Sequence, residues 1–311
     1  MQDVAPERAH PQTPAPRDRL RLMLAQMRST TTHAGNVATL GPLARRAADE
    51  GCAMLCLPEV AGLMNRDEHA ARAQVTDEAR DPWLAACREA AARHGLWLHA
   101  GSSPVLGPDG RFLNRAWMVD PGGEVVARYD KIHLFDVYLG DGEARLESAR
   151  FAPGAEAVLA PTPWGPMGMT ICYDLRFPHL YRMLARAGAR LIFAPAAFTV
   201  PTGRAHWEVL IRARAIENGA FMVCPAQTGR HDDGRETWGH ALAVDPWGAV
   251  LADLGFEEGA AVVEIDLTDS ETARAKVPSL ANERDFAGPL PGQSHVAPPS
   301  SSAAASAIAR R

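Results

Sequence analysis

The sequence predicts an α/β protein in which two mixed β-sheets pack together and helices cover their outer faces. Short apolar runs alternate with segments of helical spacing along most of the chain. Strand–helix–strand units come first and hairpin-like pairs follow, so both parallel and antiparallel pairing is expected. Roughly ten to twelve strands and four or so helices are indicated, and two packed sheets bury that many strands better than one open sheet.

The first half of the chain has the pattern of strand–helix–strand units. The expected strands and helices alternate over residues 20–27, 37–51, 52–59, 81–95 and 96–103. Asp81 stands at the capping position of the second helix and Pro82 at its first turn, where proline is well tolerated. Gly51 follows the first helix as a typical stop. These features predict parallel strands joined by helical crossovers.

The second half mixes hairpins with one further crossover. Residues 115–120 and 124–130 flank a Pro-Gly-Gly turn and predict a hairpin. A helix at 179–189 separates two expected strands at 166–174 and 191–198. Three more strands are expected at 238–245, 246–255 and 260–267.

Composition excludes several classes of protein. The chain has 311 residues, of which 47% are hydrophobic and 22% charged, enough to bury a large core. Its 32 basic and 37 acidic side chains leave a net charge of −5, so no nucleic-acid partner is expected. It has no apolar run long enough to cross a bilayer and no apolar signal core near its start. The five scattered cysteines predict reduced thiols, and we expect a cytoplasmic protein.

The two ends differ in composition from the rest of the chain. Residues 1–18 are rich in proline and polar side chains. Residues 287–311 form a low-complexity sequence rich in proline, serine and alanine. We therefore expect a flexible N-terminal tail and a disordered C-terminal tail. No repeat or linker interrupts residues 19–286, which are expected to form a single domain.

Three polar residues follow predicted strands: Glu59, Lys131 and Cys172. The ends of strands are where ligands meet an α/β sheet. A lone cysteine is most often packed as a small apolar residue. Cys172, however, is followed by a polar and aromatic stretch that leads into a helix. It is therefore expected at a strand-to-helix turn, where backbone N–H groups would favour a thiolate.

The same three residues form a set with chemical meaning. Lys131 beside Asp130 also suits a surface ion pair, and His133 is a possible base whose commoner fate is a packed, hydrogen-bonded ring. Glu59 follows an apolar run, a poor place for a solvated charge. Together they offer a nucleophile, a base and a cation that can stabilise an oxyanion, which is the equipment for acyl transfer from an amide or nitrile.

Three segments resemble a known family. LPE at 57–59, YDKIHLFDV at 129–137 and ICYDLRFP at 171–178 are similar to the signature segments of the nitrilase superfamily of carbon-nitrogen hydrolases, in the same order. The resemblance extends over residues 19–280. It implies a four-layer α-β-β-α sandwich that forms a homodimer through its helices and needs no cofactor.

The resemblance also implies roles for individual residues. Cys172 would be the nucleophile, Glu59 the general base and Lys131 the oxyanion stabiliser. The family's second glutamate is matched by Glu147, which would orient Lys131 and the substrate amide. Within the family, the segments at 195–219, 226–248 and 277–280 look like the Nit branch, and most closely its deaminated glutathione amidase group.

The expected activity is hydrolysis of the amide of a small carboxylate-bearing molecule through a cysteinyl thioester. An ω-amidase acting on 2-oxo acid amides, or a nitrile or N-carbamoyl hydrolase, would use the same triad. An inactive binding protein and a metal-dependent hydrolase are the alternatives from other classes. Two departures from the group are Cys224–Pro225 in place of small residues, and Arg145–Leu146 before Glu147.

Substrate-binding candidates lie in the nucleophile segment and in the loop before the helix that contains Trp207. They are Tyr173, Arg176, Phe198, Thr199 and Thr202. The backbone N–H of Tyr173 would join the oxyanion site, and Arg176 would bind a substrate carboxylate or, equally, brace the turn by pairing with Asp174. Cys52 and Cys56 are spaced like metal ligands, but the residues between them are apolar and no metal is expected.

Overall fold

The structure of the protein is a computed structural model that describes residues 17–138 and 144–288. The tails expected at 1–18 and 287–311 lie almost wholly outside these ranges. The described chain divides into a unit that ends at Leu280 and a second that begins at Ala281 and has no helix or strand as far as Gly288. All the elements below belong to the first unit.

Sixteen strands and six α-helices lie within the described residues. The helices are α1 (His33–Asp49), α2 (Glu68–Arg72), α3 (Pro82–His94), α4 (Pro178–Arg186), α5 (Val200–Asn218) and α6 (Thr268–Lys276). The strands of the first half are β1 (Arg19–Met27), β2 (Met54–Cys56), β3 (Trp97–Leu106), β4 (Phe112–Val119), β5 (Val125–Asp130), β6 (Asp136–Tyr138) and β7 (Ala144–Leu146). Those of the second half are β8 (Val158–Ala160), β9 (Met167–Met169), β10 (Leu191–Phe193), β11 (Phe221–Cys224), β12 (Ala226–Arg230), β13 (Glu236–Trp238), β14 (Leu242–Val244), β15 (Val250–Asp253) and β16 (Gly259–Asp266).

Two mixed sheets form the centre of the fold. The first has eight strands in the order β13-β12-β1-β2-β3-β4-β5, with β16 also paired antiparallel to β1. The second has six strands in the order β15-β14-β11-β10-β9-β8. In each sheet the central strands are parallel and the outer ones antiparallel, as the mixture of crossovers and hairpins predicts.

The alternation of side chains along β1 shows how the layers stack. Leu22 and Leu24 belong to the apolar core that the two sheets share, which also contains Met169 of β9. Met23 belongs to a second core, formed with Cys87 of α3 and residues of α1. Because neighbouring strand residues point to opposite faces, the first sheet lies between the second sheet and the α1/α3 layer.

The second sheet has its own helical layer. Helices α4 and α5 contact β9, β11 and β14, and α5 contributes Trp207 and Ile211 to the shared core. The result is the four-layer α-β-β-α sandwich that was predicted. None of the helices in the described ranges is long and apolar enough to cross a bilayer.

Some element boundaries differ from the predicted ones for local reasons. Helix α3 begins as predicted, with the Asp81 carboxylate accepting the Leu84 N–H at 2.7 Å. Helix α1 begins at His33 rather than at 37, because Thr32 is its cap and accepts the Gly35 N–H at 3.2 Å. The strand predicted over 166–174 ends at Met169, because Cys172–Arg176 turn into a short 3-10 helix.

Candidate active site

Glu59 lies in a tight turn that follows β2. It is 4% exposed, and the next residue, Val60, has the unusual φ of 48°. The turn is held from outside, because the Gln227 side chain donates to the Glu59 carbonyl at 2.9 Å. Gly101 of β3 must be glycine, since a Cβ there would lie 2.0 Å from the Pro58 carbonyl oxygen.

Lys131 follows β5 and points its ammonium group at two carboxylates. Its Nζ lies 2.9 Å from Glu59 Oε1, and 2.8 and 3.1 Å from the two oxygens of Glu147. Burial alone would lower the pKa of Lys131, but the Glu147 and Glu59 carboxylates raise it well above its usual value. Lys131 is therefore a buried cation at neutral pH, not half of a surface ion pair with Asp130.

Asp130 instead pairs with Arg115 of β4. Its two carboxylate oxygens accept from the Arg115 guanidinium at 2.7 and 2.8 Å. This bidentate pair joins β4 to β5 next to Lys131.

Glu147 opens a short 3-10 helix, Glu147–Ala149, that follows β7. Its Oε2 accepts the Phe135 backbone N–H at 2.7 Å, which ties it to the segment that follows Lys131. The carboxylate thus accepts from an ammonium group, from a backbone N–H and, at 3.4 Å, from the Asn114 side chain. The two residues before it, Arg145 and Leu146, form the end of β7.

Cys172 is the first residue of the Cys172–Arg176 3-10 helix. Its φ of 49° is strained for a residue with a side chain, and its N–H donates to the Pro195 carbonyl at 3.0 Å. The Glu59 carboxylate and the Ala197 backbone N–H both lie close enough to the Cys172 thiol to shift its pKa, the first upward and the second downward. The structure therefore brings the sulfur, the carboxylate and the Lys131 ammonium group together.

The prediction that this turn favours a thiolate is wrong. Burial and the negative charge of Glu59 raise the pKa of the Cys172 thiol well above its usual value, although Lys131 acts in the opposite direction. Cys172 thus rests as a neutral thiol beside a carboxylate. The reason is that the side chain is only 7% exposed, so a thiolate would lose its hydration.

His133 is not placed as a base for the thiol. Its Nδ1 lies 2.7 Å from Asp174 Oδ1, and its ring stacks on Phe177 with the centroids 3.5 Å apart. This is the packed, hydrogen-bonded role that was expected to be the commoner one.

The substrate-binding candidates lie in the 3-10 helix that begins at Cys172 and in the loop that donates to Glu59. The Tyr173 ring meets Phe135 and Phe177 edge to face. The Arg176 guanidinium lies 5.8 Å from the ring centres of both Tyr173 and Phe198, and it contacts His206 Nδ1 at 3.2 Å. Arg176 is thus held by aromatic faces and not by the Asp174 pairing considered for it.

The two candidate threonines, Thr199 and Thr202, form a hydrogen bond with each other. Thr199 and Thr202 join their hydroxyls at 2.8 Å at the start of α5, and Thr202 is buried. Phe198 packs on Trp207, with the ring centroids 4.7 Å apart. The preceding residue, Ala197, donates its N–H to Glu59 Oε2 at 2.8 Å, so this loop is tied directly to the predicted base.

Sequence reasoning missed Asn114 and the backbone donors of Ala197 and Phe135. The Asn114 side chain donates to Glu59 Oε1 at 3.0 Å and to Glu147 Oε1 at 3.4 Å. An asparagine among the apolar residues near the start of β4 was the available signal. The backbone donors leave no trace in residue types.

The cysteines spaced like metal ligands lie on different faces of the first sheet. Cys56 is part of the core between the sheets, and Cys52 of the core under α1 and α3. In the part of the chain that the structure describes, no three His, Cys, Asp or Glu side chains are grouped so as to hold a metal ion.

Comparison with known proteins gives one consistent result. The carbon-nitrogen hydrolase family profile matches residues 21–275. A deaminated glutathione amidase of Synechocystis sp. is 41% identical over 260 residues, which cover 82% of this chain and 94% of that protein.

Solved structures agree with the sequence relatives. The NitFhit protein of C. elegans superposes with a TM-score of 0.78 at 33% identity, over 87% of this chain and 66% of that one. Saccharomyces cerevisiae Nit3, a member of branch 10 of the nitrilase superfamily, superposes with a TM-score of 0.76 at 26% identity, over 85% of this chain and 96% of that one. The chain therefore belongs to the carbon-nitrogen hydrolase family, in the Nit branch of the nitrilase superfamily, and is an amidase of that family.

Proposed function

We propose that this amidase uses Cys172 as its nucleophile and hydrolyses a small carboxylate-bearing amide, of the deaminated glutathione type, to an acid and ammonia. The observation that carries the proposal is that one carboxylate, Glu59, binds the Lys131 ammonium group at 2.9 Å and lies close enough to the Cys172 thiol to raise its pKa. A base, a nucleophile and a cation grouped in this way are what acyl transfer from an amide requires.

In the first half of the reaction Glu59 takes the thiol proton while the sulfur attacks the amide carbon. A carbon–sulfur bond forms, and the carbonyl π electrons move to the oxygen, where Lys131 and the backbone N–H of Tyr173 stabilise the charge. The carbon–nitrogen bond then breaks, and protonated Glu59 gives its proton to the departing ammonia. The acyl group remains on Cys172 as a thioester.

In the second half water replaces the amine. Glu59 takes a proton from the water as the water oxygen attacks the thioester carbon. The carbon–sulfur bond then breaks to release the acid, and protonated Glu59 returns its proton to the departing sulfur, which restores the thiol and the carboxylate. The raised pKa of the Cys172 thiol supports this division of labour, because a neutral thiol needs a base in contact with it. Glu147 holds Lys131 from the other side and would orient the substrate amide.

A carboxylate on the substrate is supported by Arg176. Its guanidinium lies between the faces of Tyr173 and Phe198, close to the nucleophile's turn, and guanidinium groups bind carboxylates in two-pronged geometry. The name of the Synechocystis relative points to deaminated glutathione as the substrate type. The reaction as written needs no cofactor.

Assembly and location form part of the same proposal. We propose a homodimer formed through α4 and α5, whose outer surface exposes Met183, Val209 and Ile216. We also propose a cytoplasmic location, which the five unpaired cysteines support, since thiols stay reduced there.

The test is ammonia release from deaminated glutathione, 2-oxoglutaramate and neutral propionamide by the wild type and matched variants. Cys172→Ala is expected to lose at least about 10³-fold in turnover, whereas Cys87→Ala, which changes a buried thiol in α3, retains it. Intact mass after acid quenching should show an acyl adduct on the wild type but not on Cys172→Ala. Appreciable ammonia release by Cys172→Ala would rule out the covalent mechanism.

The same assay tests the substrate class. Arg176→Ala is expected to raise KM about tenfold or more for the two carboxylate-bearing amides and to leave propionamide turnover unchanged. Preference of the wild type for 2-oxoglutaramate over deaminated glutathione would identify an ω-amidase instead. No ammonia from any of the amides would favour a binding protein.

A further inference from the structure

We infer that Asn114 is a positioning residue of this site, whose side-chain amide holds Glu59 and Glu147 together as charged acceptors around Lys131. The inference rests on the proposed roles of the two glutamates. Asn114 belongs to none of the family signature segments, since it lies on β4, between the first segment and the second.

Asn114 bridges the Glu59 and Glu147 carboxylates, as Lys131 also does. Its Nδ2 contacts Glu59 Oε1 at 3.0 Å and Glu147 Oε1 at 3.4 Å, and Lys131 Nζ contacts the same two oxygens at 2.9 and 3.1 Å. Asn114 is only 2% exposed. The two carboxylates are therefore joined by one charged and one neutral donor.

A neutral donor suits the charge balance of the cluster. The buried Glu59 carboxylate and the partly buried Glu147 carboxylate face one ammonium group, and Lys131 Nζ contacts three of their oxygens. The neutral Cys172 thiol lies beside the Glu59 carboxylate as a further titratable group. Amide N–H groups stabilise the ionised carboxylates further without changing the net charge.

The other end of the Asn114 side chain indicates how its orientation is determined. Its Oδ1 is buried and has no hydrogen-bond partner among the described residues. An unpaired buried acceptor is costly, and turning the amide round would place it against two carboxylates, which is worse. The Asn114 backbone carbonyl also accepts the Lys131 N–H at 3.0 Å, so one residue positions the backbone of the cation and the side chains of both anions.

The test compares two variants with a matched control. Asn114→Ala removes the amide, and Asn114→Leu removes it while keeping most of the volume. Asn218 at the end of α5 is the control, because it is also fully buried, donates its Nδ2 to a backbone carbonyl and has an unpaired Oδ1. The readouts are kcat and KM for the best amide at pH 7 and the thermal unfolding midpoint.

Both Asn114 variants are expected to lose about tenfold or more in kcat at pH 7 with little change in KM, because the base and the cation lose a donor that holds them in place. Asn218→Leu should lower the unfolding midpoint but leave kcat in place. A loss of kcat far beyond that of Asn218→Leu, at a similar fall in the unfolding midpoint, would be the signature of positioning.

A kcat that stays normal in both Asn114 variants, or that falls no further than in Asn218→Leu, would overturn the inference. The outcome is separable from failure of the proposed function. That failure would appear as ammonia release by Cys172→Ala, whatever the behaviour of Asn114.

Discussion

At the scale of the residue, Asp174 joins the turn of the predicted nucleophile to the segment of the predicted cation. Its Oδ2 accepts the Ile171 N–H at 2.8 Å and the Tyr129 hydroxyl at 2.7 Å. Its Oδ1 meets His133 Nδ1 at 2.7 Å. A buried carboxylate with so many donors fixes the strained backbone of Cys172 relative to the chain on either side of Lys131.

Asp174→Asn is predicted to lower kcat/KM by about tenfold or more and the free energy of unfolding by about 1–3 kcal/mol. The new amide presents N–H groups to neighbours that are themselves donors. Asp245→Asn is the control, because Asp245 also accepts backbone N–H groups, at 2.8 Å from Trp247 and Ala249, in a turn remote from the site. Ammonia release and chemical unfolding check both; equal loss of activity in the two variants would contradict the special role of Asp174.

At the scale of the element, the start of α5 is set by a close approach to β13. A Cβ on Gly203 would lie 2.2 Å from Trp238 Cγ and 2.3 Å from its Cβ. The Phe198 carbonyl just before the helix accepts the Trp238 N–H at 2.9 Å. Helix α5 therefore rests directly on β13, and this contact positions the loop that donates to Glu59.

Gly203→Ala is predicted to lower the free energy of unfolding by about 1–3 kcal/mol, because the added methyl must displace the helix or the tryptophan. Gly259→Ala in β16 is the matched change, since a Cβ there meets nothing within 4 Å. It should leave the free energy of unfolding unchanged or raise it by about 0.4–1 kcal/mol, because alanine restricts the unfolded chain. Denaturant unfolding measures both, and a neutral or stabilising Gly203→Ala would show that the contact can relax.

At the scale of the whole molecule, the outer surface of α4 and α5 exposes three large apolar side chains among charged ones. Val209 is 68% exposed and Ile216 is 53% exposed, and seven residues apart they share one face of α5. Met183 of α4 is 57% exposed. Large apolar side chains grouped on outer helices are typical of an interface between subunits.

The proposed dimer gives a prediction for the mass in solution. The wild type should have twice the 33.4 kDa mass of the chain in light scattering coupled to gel filtration. Val209→Glu should shift the protein toward the monomer, because burying an unpaired carboxylate at an interface is costly. Leu106→Glu, at the end of β3 and 41% exposed before the change, is the control. A monomeric wild type, or a dimer that survives Val209→Glu unchanged, would exclude this interface.

Local patterns in the sequence were enough to predict the fold class and most of the helices and strands. The apolar alternation of β1, the Asp81–Pro82 start of α3 and the hairpin of β4 and β5 each depend on residues close in the chain. The signature segments likewise predicted which polar residues to place in one site. Boundaries were harder, as at β9, because a 3-10 turn that opens at a strained Cys172 depends on contacts with Pro195 across the sheet.

What the sequence determined by itself was the kind of residue at each position, and with it the alternation, the caps and the candidate acid, base and nucleophile. Only the tertiary structure decided that Glu59, Lys131 and Glu147 share one buried cluster and that Asn114 bridges it. It alone decided that the thiol of Cys172 is neutral. Hydrogen bonds, burial and ionisation depend on distances of a few ångströms between groups far apart in the chain, and those distances exist only once the sheets have packed.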